Sequence, residues 1–269
     1  MADRTPLDDV EFLARSPHRV AVLQTLASGS WARPALHEET GISQPTLGRV
    51  LGSLEDHSWV ERDGHEYALT ALGELVAAEF DSLLDTIETT HRLGDVAGLL
   101  PTEQMDFDLR QLADSTIIRP ETGDVFRHVR RMEELLTTAD RVRIMSDTIA
   151  PDSLSDTRDR VVNAENDDLR IESVITGDAL DQALSNPQLA AWVGDLVASR
   201  RAPVYRYDGT IPLVLAIVDD TALLVPSDEH GFPGALVETD NEQVRSWVER
   251  TIDEYLATAT ELTVEHLPD

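Results

Sequence analysis

A run of polar side chains between residues 43 and 53 has types and spacing that suit contacts with nucleic acid. Its members are Ser43, Gln44, Thr46, Arg49 and Ser53. Side chains of these types hydrogen-bond to base edges and to phosphates. Between them, apolar residues recur at the i, i+3, i+4, i+7 spacing of a buried helical stripe, namely Leu47, Val50, Leu51 and Leu54. The pattern predicts an amphipathic helix whose polar side could lie against DNA.

The residues before this helix predict that it is the second helix of a helix-turn-helix. A short helix over residues 32–40 leads to Gly41, which can adopt the positive φ of a tight turn. Ser43 is predicted to cap the second helix, and Pro45 to lie in its first turn. An ordinary helical hairpin would show the same pattern, so the following segment decides between the two interpretations.

That segment predicts a β-hairpin. After Trp59, the run V-E-R-D-G-H-E-Y-A-L-T contains two strand-like stretches around Asp63-Gly64, a strong hairpin signal. Three helices followed by such a hairpin form a winged helix. We therefore predict a winged helix-turn-helix DNA-binding domain over residues 1–74, in which the wing contacts the DNA backbone near Arg62 and His65. A winged helix that contacts a protein of the transcription machinery is the alternative.

Composition limits the other functions of the chain. There is no Cys, and the eight His residues show no metal-ligand spacing. No P-loop, Gly-x-Ser-x-Gly or Gly-x-Gly-x-x-Gly motif occurs. We therefore expect no metal site, no cofactor and no enzymatic activity. The longest apolar run, over residues 211–218, is too short to span a bilayer, and the N-terminus lacks a signal-peptide pattern. These features predict a soluble, cytoplasmic protein with no membrane partner.

The charge of the chain is unusual. The formal net charge is −29, all 22 basic residues are Arg, and the acidic residues are spread along the whole sequence. Such a surface resembles that of proteins from salt-in halophiles, because molar salt screens the self-repulsion. Residues 1–74 carry six Arg against twelve Asp and Glu, which would argue against DNA binding at low salt. Molar salt weakens that objection, since it also screens attraction to phosphate. An acidic domain that mimics DNA or binds cations is the other interpretation.

A long helix is predicted over residues 73–92. Val76, Phe80, Leu83 and Ile87 follow one another at steps of four, three and four, which is the spacing of a coiled-coil seam. We predict a homodimer through these four residues, because pairing would place two recognition helices on successive major grooves. Packing within one chain is the alternative. Residues 75–100 are therefore predicted to form a linking and dimerisation segment.

Strand and helix patterns alternate over residues 101–269, which predicts a third segment with an α/β fold. Strands are expected at residues 116–118, 141–145, 169–175, 203–207, 213–218, 222–225 and 235–238, and helices at 123–139, 153–163, 179–199 and 241–259. The order predicts a mixed sheet, partly parallel with an antiparallel edge. The whole chain is thus of the α+β or α/β class.

Polar residues follow three of these predicted strands. Ligands of open α/β sheets bind at the carboxyl ends of strands. The candidate effector-binding residues there are Ser146, Asp147, Thr148, Thr176, Asp178, Tyr207 and Asp208. Arg119, together with Arg127, Arg130 and Arg131, could hold an anionic metabolite. The same residue types also suit turns, helix caps and salt-bridged surface, so both interpretations stay open.

The strand–helix order and the predicted hairpin over residues 213–225 also resemble half of a phospholipase-D-like domain. The enzymes of that class need His-x-Lys-x-x-x-x-Asp. Counted back from Asp219, the His position holds Pro212 and the Lys position holds Val214. A degenerate, inactive version of that site is the expectation, with a phosphodiesterase-like enzyme as a third functional hypothesis.

Several segments carry a resemblance to a family of regulators. They are L-T-A-L-G-E-L-V, M-D-F-D-L-R-Q-L-A-D-S, A-D-R-V-R-I-M, L-V-L-A-I-V-D-D-T-A-L-L and A-L-V-E-T-D-N. Nearly the whole chain resembles archaeal, haloarchaeal-type winged helix-turn-helix transcription regulators with a C-terminal sensor domain of the methanogenesis-regulatory-protein type. The resemblance implies a dimeric regulator and no catalytic residues. Our first hypothesis is a sequence-specific DNA-binding regulator modulated by a small-molecule effector in the C-terminal domain.

Overall fold

A computed structural model describes residues 4–163, 169–227 and 234–267 of the chain. The chain divides into two compact units, Met1–Ile87 and Glu88–Asp269. The division into residues 1–74, 75–100 and 101–269, with a separate linking segment, stays a prediction.

The N-terminal unit is a helical domain with a small antiparallel sheet. Its elements are α1 (Pro6–Ala14), α2 (Pro17–Leu26), β1 (Trp31–Ala32), α3 (Arg33–Thr40), α4 (Gln44–Glu55), β2 (Val60–Asp63), β3 (Glu66–Leu69) and the part of α5 (Ala71–Leu93) that lies before residue 88. The sheet order is β1-β3-β2. The predicted hairpin is present, with Gly64 at φ 60° in its turn. β1 was not predicted, because two residues carry no alternation signal.

The helix-turn-helix forms as the sequence predicts. Gly41 ends α3 at φ 66°, where a β-carbon would be strained. The predicted stripe of α4 is fully buried in the core of the unit. Ser43 does occupy the capping position, but its hydroxyl donates to Thr46 Oγ1 at 3.0 Å and makes no capping bond to a helix N–H. The capping bond was therefore predicted wrongly, since a second hydroxyl one turn away competes for the Ser43 side chain.

The predicted dimer seam on α5 is divided between core and surface. Phe80 is buried in the core of the N-terminal unit, and Val76 packs against the same core. Leu83 and Ile87 are exposed by 42% and 41%. A seam made of all four residues is therefore wrong for this unit, because Val76 and Phe80 already pack in the core of the winged helix.

The C-terminal unit is built around an eight-stranded mixed sheet. After the end of α5 and two short 3₁₀ helices, Gly94–Leu99 and Leu109–Leu112, its strands are β4 (Thr116–Ile118), β5 (Arg141–Ser146), β6 (Arg170–Thr176), β7 (Val204–Tyr207), β8 (Val214–Val218), β9 (Thr221–Val225), β10 (Leu236–Thr239) and β11 (Thr260–Glu261). The order is β11-β7-β6-β5-β8-β9-β10-β4. Strands β5, β6 and β7 are parallel to one another, and the remaining pairs are antiparallel. The predicted mixed sheet is confirmed.

Helices cover both faces of this sheet. They are α6 (Arg127–Thr138), α7 (Pro151–Arg158, continued by a π-helical turn at Asp159–Asn163), α8 (Gly177–Leu184), α9 (Pro187–Ser199) and α10 (Glu242–Leu256). Met145, Val174 and Leu215 point to the face that packs on α10. Val142, Ala216 and Leu223 point to the opposite face, which packs on α6, α7 and α9. Val125, within the helix predicted over residues 123–139, lies before α6 and is 56% exposed.

No helix within the described residues is long and apolar enough to cross a membrane.

Candidate nucleic-acid interface and ligand cavity

The polar side of α4 is held in place by a contact with α3. The Arg33 guanidinium donates to the Gln44 carbonyl oxygen at 2.6 Å. It lies directly over Gly48, where an added β-carbon would meet Arg33 Nη2 at 2.6 Å. Because Arg33 bonds to the Gln44 carbonyl and packs against Gly48, this side chain fixes the start of α4 relative to α3.

The predicted DNA-contacting residues of α4 lie away from the buried stripe. Ser43 and Arg49 are exposed, and Gln44, Thr46 and Ser53 are half-buried. Arg49 makes one long contact, 3.5 Å to Thr46 Oγ1, and no ion pair with a carboxylate among the described residues. The Ser53 hydroxyl donates to the Val50 carbonyl at 2.8 Å, so it is less available than the others.

The wing carries the two predicted backbone contacts. Arg62 and His65 are both exposed. Arg62 Nε donates to the Gly64 carbonyl at 2.9 Å, and its guanidinium lies 5.6 Å from the centre of the Tyr67 ring. These contacts hold the guanidinium end of the Arg62 side chain close to the hairpin turn. The DNA-contacting roles of the residues on α4 and on the wing stay predictions.

In the C-terminal unit, the candidate effector residues that end or follow β5, β6 and β7 lie at one edge of the sheet, whereas Arg119 lies against the end of α5. The parallel register pairs Ser146 with Ile175 and Thr176 with Tyr207, so the carboxyl ends of β5, β6 and β7 lie side by side. Thr176 is buried, and Asp147, Asp178 and Asp208 are exposed.

An ion-pair cluster occupies part of this edge. Arg206 bonds to both Asp181 oxygens at 2.6 and 3.0 Å and to Asp208 Oδ1 at 2.8 Å. The hydrogen bond from Arg206 holds the pKa of the Asp181 carboxyl below its usual value. Asp208 is thus engaged with a neighbouring side chain, and sequence reasoning missed Arg206 and Asp181 because β7 and α8 are distant along the chain.

The Arg group is paired with acidic side chains. Arg119 contacts Asp95 and donates to the carbonyls of Arg92 and Leu93 at the end of α5. The other three pairs are Arg127 with Glu121, Arg130 with Asp124, and Arg131 with Glu238. The salt-bridged interpretation of this group is confirmed. Its capacity to bind an anion stays a prediction, and the existing pairs would compete with one.

The sheet face under α6, α7 and α9 contains a cavity of about 240 Å³. Most of its lining is apolar, with side chains from β5, β6, β7 and β8 forming the floor. The polar members are His128, Glu133, Ser146, Thr148, Ser153, Thr157 and Ser173. Of the predicted effector residues, only Ser146 and Thr148 reach this cavity; Asp147, Thr176, Asp178, Tyr207, Asp208 and Arg119 do not line it.

The positions of the phospholipase-D-like comparison carry structural roles. Asp219 lies in the turn between β8 and β9 at φ 52°. Its Oδ1 accepts the backbone N–H groups of Asp140 and Arg141 at 3.0 and 2.9 Å. Val214 is buried on the cavity face. The carboxylate therefore ties the hairpin to the start of β5. Among the described residues, no cluster of three or more His, Cys, Asp or Glu could hold a metal ion.

A winged helix-turn-helix followed by an α/β domain with a mixed sheet defines a class of two-domain regulators. Comparison with known families agrees. The family described as "HVO_A0261 N-terminal domain" matches residues 7–92, and "Methanogenesis regulatory protein FilR1, middle domain" matches residues 125–258. The chain belongs to the archaeal winged helix-turn-helix transcription regulators that join these two domains.

Solved structures give weaker similarities. An archaeal chromatin protein, TrmBL2, is 16% identical over 96% of this chain and 100% of that one, with a TM-score of 0.44. The quinone-bound YodB of B. subtilis is 25% identical over 29% of this chain and 90% of its own, with a TM-score of 0.28. A MarR/EmrR family regulator from Acinetobacter is 17% identical over 35% of this chain and 79% of its own, with a TM-score of 0.25. No curated protein matches the chain.

Proposed function

We propose that this protein is a sequence-specific, dimeric DNA-binding transcription regulator whose C-terminal domain binds a small-molecule effector. The observation that carries the proposal is the polar side of α4. There Arg49 is exposed, without a carboxylate partner among the described residues, on a helix whose opposite stripe is fully buried. A recognition helix needs such an arrangement, because its buried stripe fixes the orientation in which its free donors meet the major groove.

The wing supports the same geometry. A cation at Arg62 and an imidazole at His65 lie exposed on the hairpin that follows the recognition helix. A wing in this position contacts the phosphate backbone beside the groove, which positions the protein without reading sequence. The acidity of the domain means that binding depends on these few cations, and that like-charged surface must be screened by salt.

The dimer would use a different surface from the one that the seam spacing predicts. Four apolar residues on one side of α5 are exposed by 41% or more: Leu72, Leu75, Leu83 and Ile87. We propose a second copy of this chain as their partner, because a two-fold pair of recognition helices matches the two half-sites of an operator. An effector that prefers one of two dimer arrangements would then change operator affinity.

Fluorescence anisotropy on DNA upstream of the protein's own coding sequence, in molar KCl, tests the DNA proposal. We expect wild type to prefer this duplex over a scrambled one, and Arg49→Ala to weaken specific binding by about 1–3 kcal/mol, the usual worth of a base contact. Arg15→Ala is the matched control. It removes the same charge from an exposed residue just after α1 that is paired with Glu11, and binding should stay unchanged.

Equal, weak binding to both duplexes that Arg49→Ala does not alter would refute a DNA reader. The winged helix would then be a protein-interaction module, and protein partners would be sought. Turnover of a phosphodiester by the purified chain would instead support the enzyme hypothesis.

Sedimentation velocity tests the dimer. Ile87→Glu places a charge within the exposed apolar side of α5 and should shift the chain to monomer. Leu7→Glu, on the exposed side of α1 where Leu7 is 77% exposed, is the control and should leave the dimer intact. A wild-type chain that sediments as a monomer, or an Ile87→Glu variant that stays dimeric, would refute this surface.

A further inference from the structure

The cavity of the C-terminal unit has the size and lining of a ligand site. At about 240 Å³ it is larger than the engineered cavity of about 150 Å³ that binds benzene. It lies between the sheet and helices α6, α7, α8 and α9, so its walls come from elements that hold one another in place. A void of this size in a packed domain forfeits the dispersion contacts of its lining, and a ligand would restore them.

The lining disfavours anionic ligands. Among the described residues no Arg lines the cavity, and Glu133 is its one carboxylate. A buried anion without a cation partner would be costly, because the apolar walls give it no solvation. The acidic strand ends lie outside the cavity and cannot neutralise a charge within it.

One hydroxyl on the floor gives the site a polar feature. Ser173 lies on β6 between the cavity-facing Ile171 and Ile175, and its register partners are Ile144 and Val204. Its hydroxyl makes no hydrogen bond to another residue in the part of the chain that the structure describes. A half-buried hydroxyl among apolar neighbours costs free energy unless it finds a partner.

The second floor hydroxyl is already engaged. Ser146 Oγ donates to the Thr148 carbonyl at 2.9 Å and accepts the Thr148 N–H at 3.1 Å. It therefore shapes the loop after β5, and Ser173 is left as the hydroxyl of the floor that can select a ligand group.

We propose that the effector of this regulator is an uncharged, mostly apolar small molecule of roughly ten non-hydrogen atoms, by scaling from the benzene cavity, with one polar group that bonds to Ser173. That this ligand is an effector rests on the proposed function. The binding site itself stands on the cavity alone.

Calorimetric titration of the full chain in molar KCl, without DNA, tests the proposal with three small probes of equal non-hydrogen atom count. Indole is neutral with one N–H, indene has the same shape without it, and benzoate is an anion. We expect saturable binding of one indole per chain, weaker binding of indene, and binding of benzoate weaker than that of indole by at least about tenfold, because no Arg of the described residues lines the cavity.

Two substitutions of Ser173 distinguish the contribution of the cavity volume to binding from that of the hydroxyl. Ser173→Ile fills the floor and should weaken indole binding by at least about tenfold. Ser173→Ala keeps the space, so indole should still bind but lose its preference over indene. Ser155→Ile and Ser155→Ala, at a half-buried position of α7 outside the cavity lining, are the matched controls and should bind indole as wild type does.

Circular dichroism establishes that each variant is folded, and Ser173→Ala gives a test even if Ser173→Ile does not fold. The proposal is overturned if wild type shows no saturable indole binding, if benzoate binds as tightly as indole, or if folded Ser173→Ala keeps the indole preference. Because the titration contains no DNA, its failure would leave the DNA-binding proposal intact. A failure of operator binding would likewise leave the cavity result intact.

Discussion

Among the described glycines of the N-terminal unit, Gly73 has the least room for a side chain. It lies in the first turn of α5, against the residue that precedes the wing. A β-carbon added there would lie 1.9 Å from the Trp59 carbonyl oxygen and 2.8 Å from its carbon. The two backbones must separate by more than about 1 Å before ordinary contact is restored. Gly73→Ala therefore forces apart two main-chain segments, which cannot move aside as a flexible side chain could.

The cost can be estimated from the contacts that would be strained. The Trp59 carbonyl accepts the Thr70 N–H at 3.0 Å, and Thr70 Oγ1 accepts the Gly73 N–H at 3.0 Å. Losing or stretching these two bonds costs about 0.5–1.5 kcal/mol each. Shifting the buried Trp59 adds about 1–3 kcal/mol of overpacking. The helix propensity of Ala returns at most about 1 kcal/mol. We expect a net destabilisation of about 1–5 kcal/mol.

Hydrogen exchange by mass spectrometry on the full chain can localise this effect to residues 1–87, and thermal unfolding gives its size. In a unit of this length, the midpoint temperature of unfolding falls by about 4–8 °C for each kcal/mol of destabilisation. Gly52→Ala is the matched control, because nothing lies within 4 Å of its added β-carbon inside α4. It should stabilise by about 0.5–1 kcal/mol. If Gly73→Ala is as stable as wild type, the close approach of Trp59 to α5 is wrong.

Three further outcomes are expected from chemical denaturation at fixed KCl. Asp219→Ala should destabilise the C-terminal unit by about 1–3 kcal/mol, because two backbone N–H groups at β5 lose their acceptor; an unchanged midpoint would contradict this. Asp181→Asn should be less stable than wild type above pH 4, with a gap that closes as pH falls through the lowered pKa of Asp181, since protonation removes the same charge; a gap that widens in acid would be the wrong sign. Phe80→Ala should cost about 3–5 kcal/mol and Leu7→Ala little, because the first is 9% and the second 77% exposed; equal losses would mean that Leu7 is part of the core.

Local patterns predicted much of the N-terminal unit. The stripe at Leu47, Val50, Leu51 and Leu54, the left-handed Gly41 and the Asp63-Gly64 hairpin are set by residues within a few positions of one another. Backbone sterics and helical periodicity act over that range, so the sequence alone identifies the winged helix. The mixed character of the C-terminal sheet was also accessible, because alternating β and α patterns have few ways to pack. Its strand order was not predicted.

The side-chain bond of Ser43 was not accessible in this way. Whether its hydroxyl caps α4 or bonds to Thr46 depends on two competing partners one turn apart, and the sequence contains both. The seam on α5 is a similar case. Seven-residue spacing places Val76, Phe80, Leu83 and Ile87 on one side of the helix, but it does not say which of them another part of the chain will cover.

By itself, the sequence determined that this protein is a winged helix-turn-helix joined to an α/β domain, and it placed polar residues at the carboxyl ends of three strands. Only the tertiary structure decided what those residues surround. The cavity is lined by Ser173, His128 and Val214, which come from elements far apart along the chain, while most of the predicted strand-end residues lie outside it. The reason is that secondary structure follows from local sterics and periodicity, whereas a cavity is the volume that distant side chains leave unfilled when they pack.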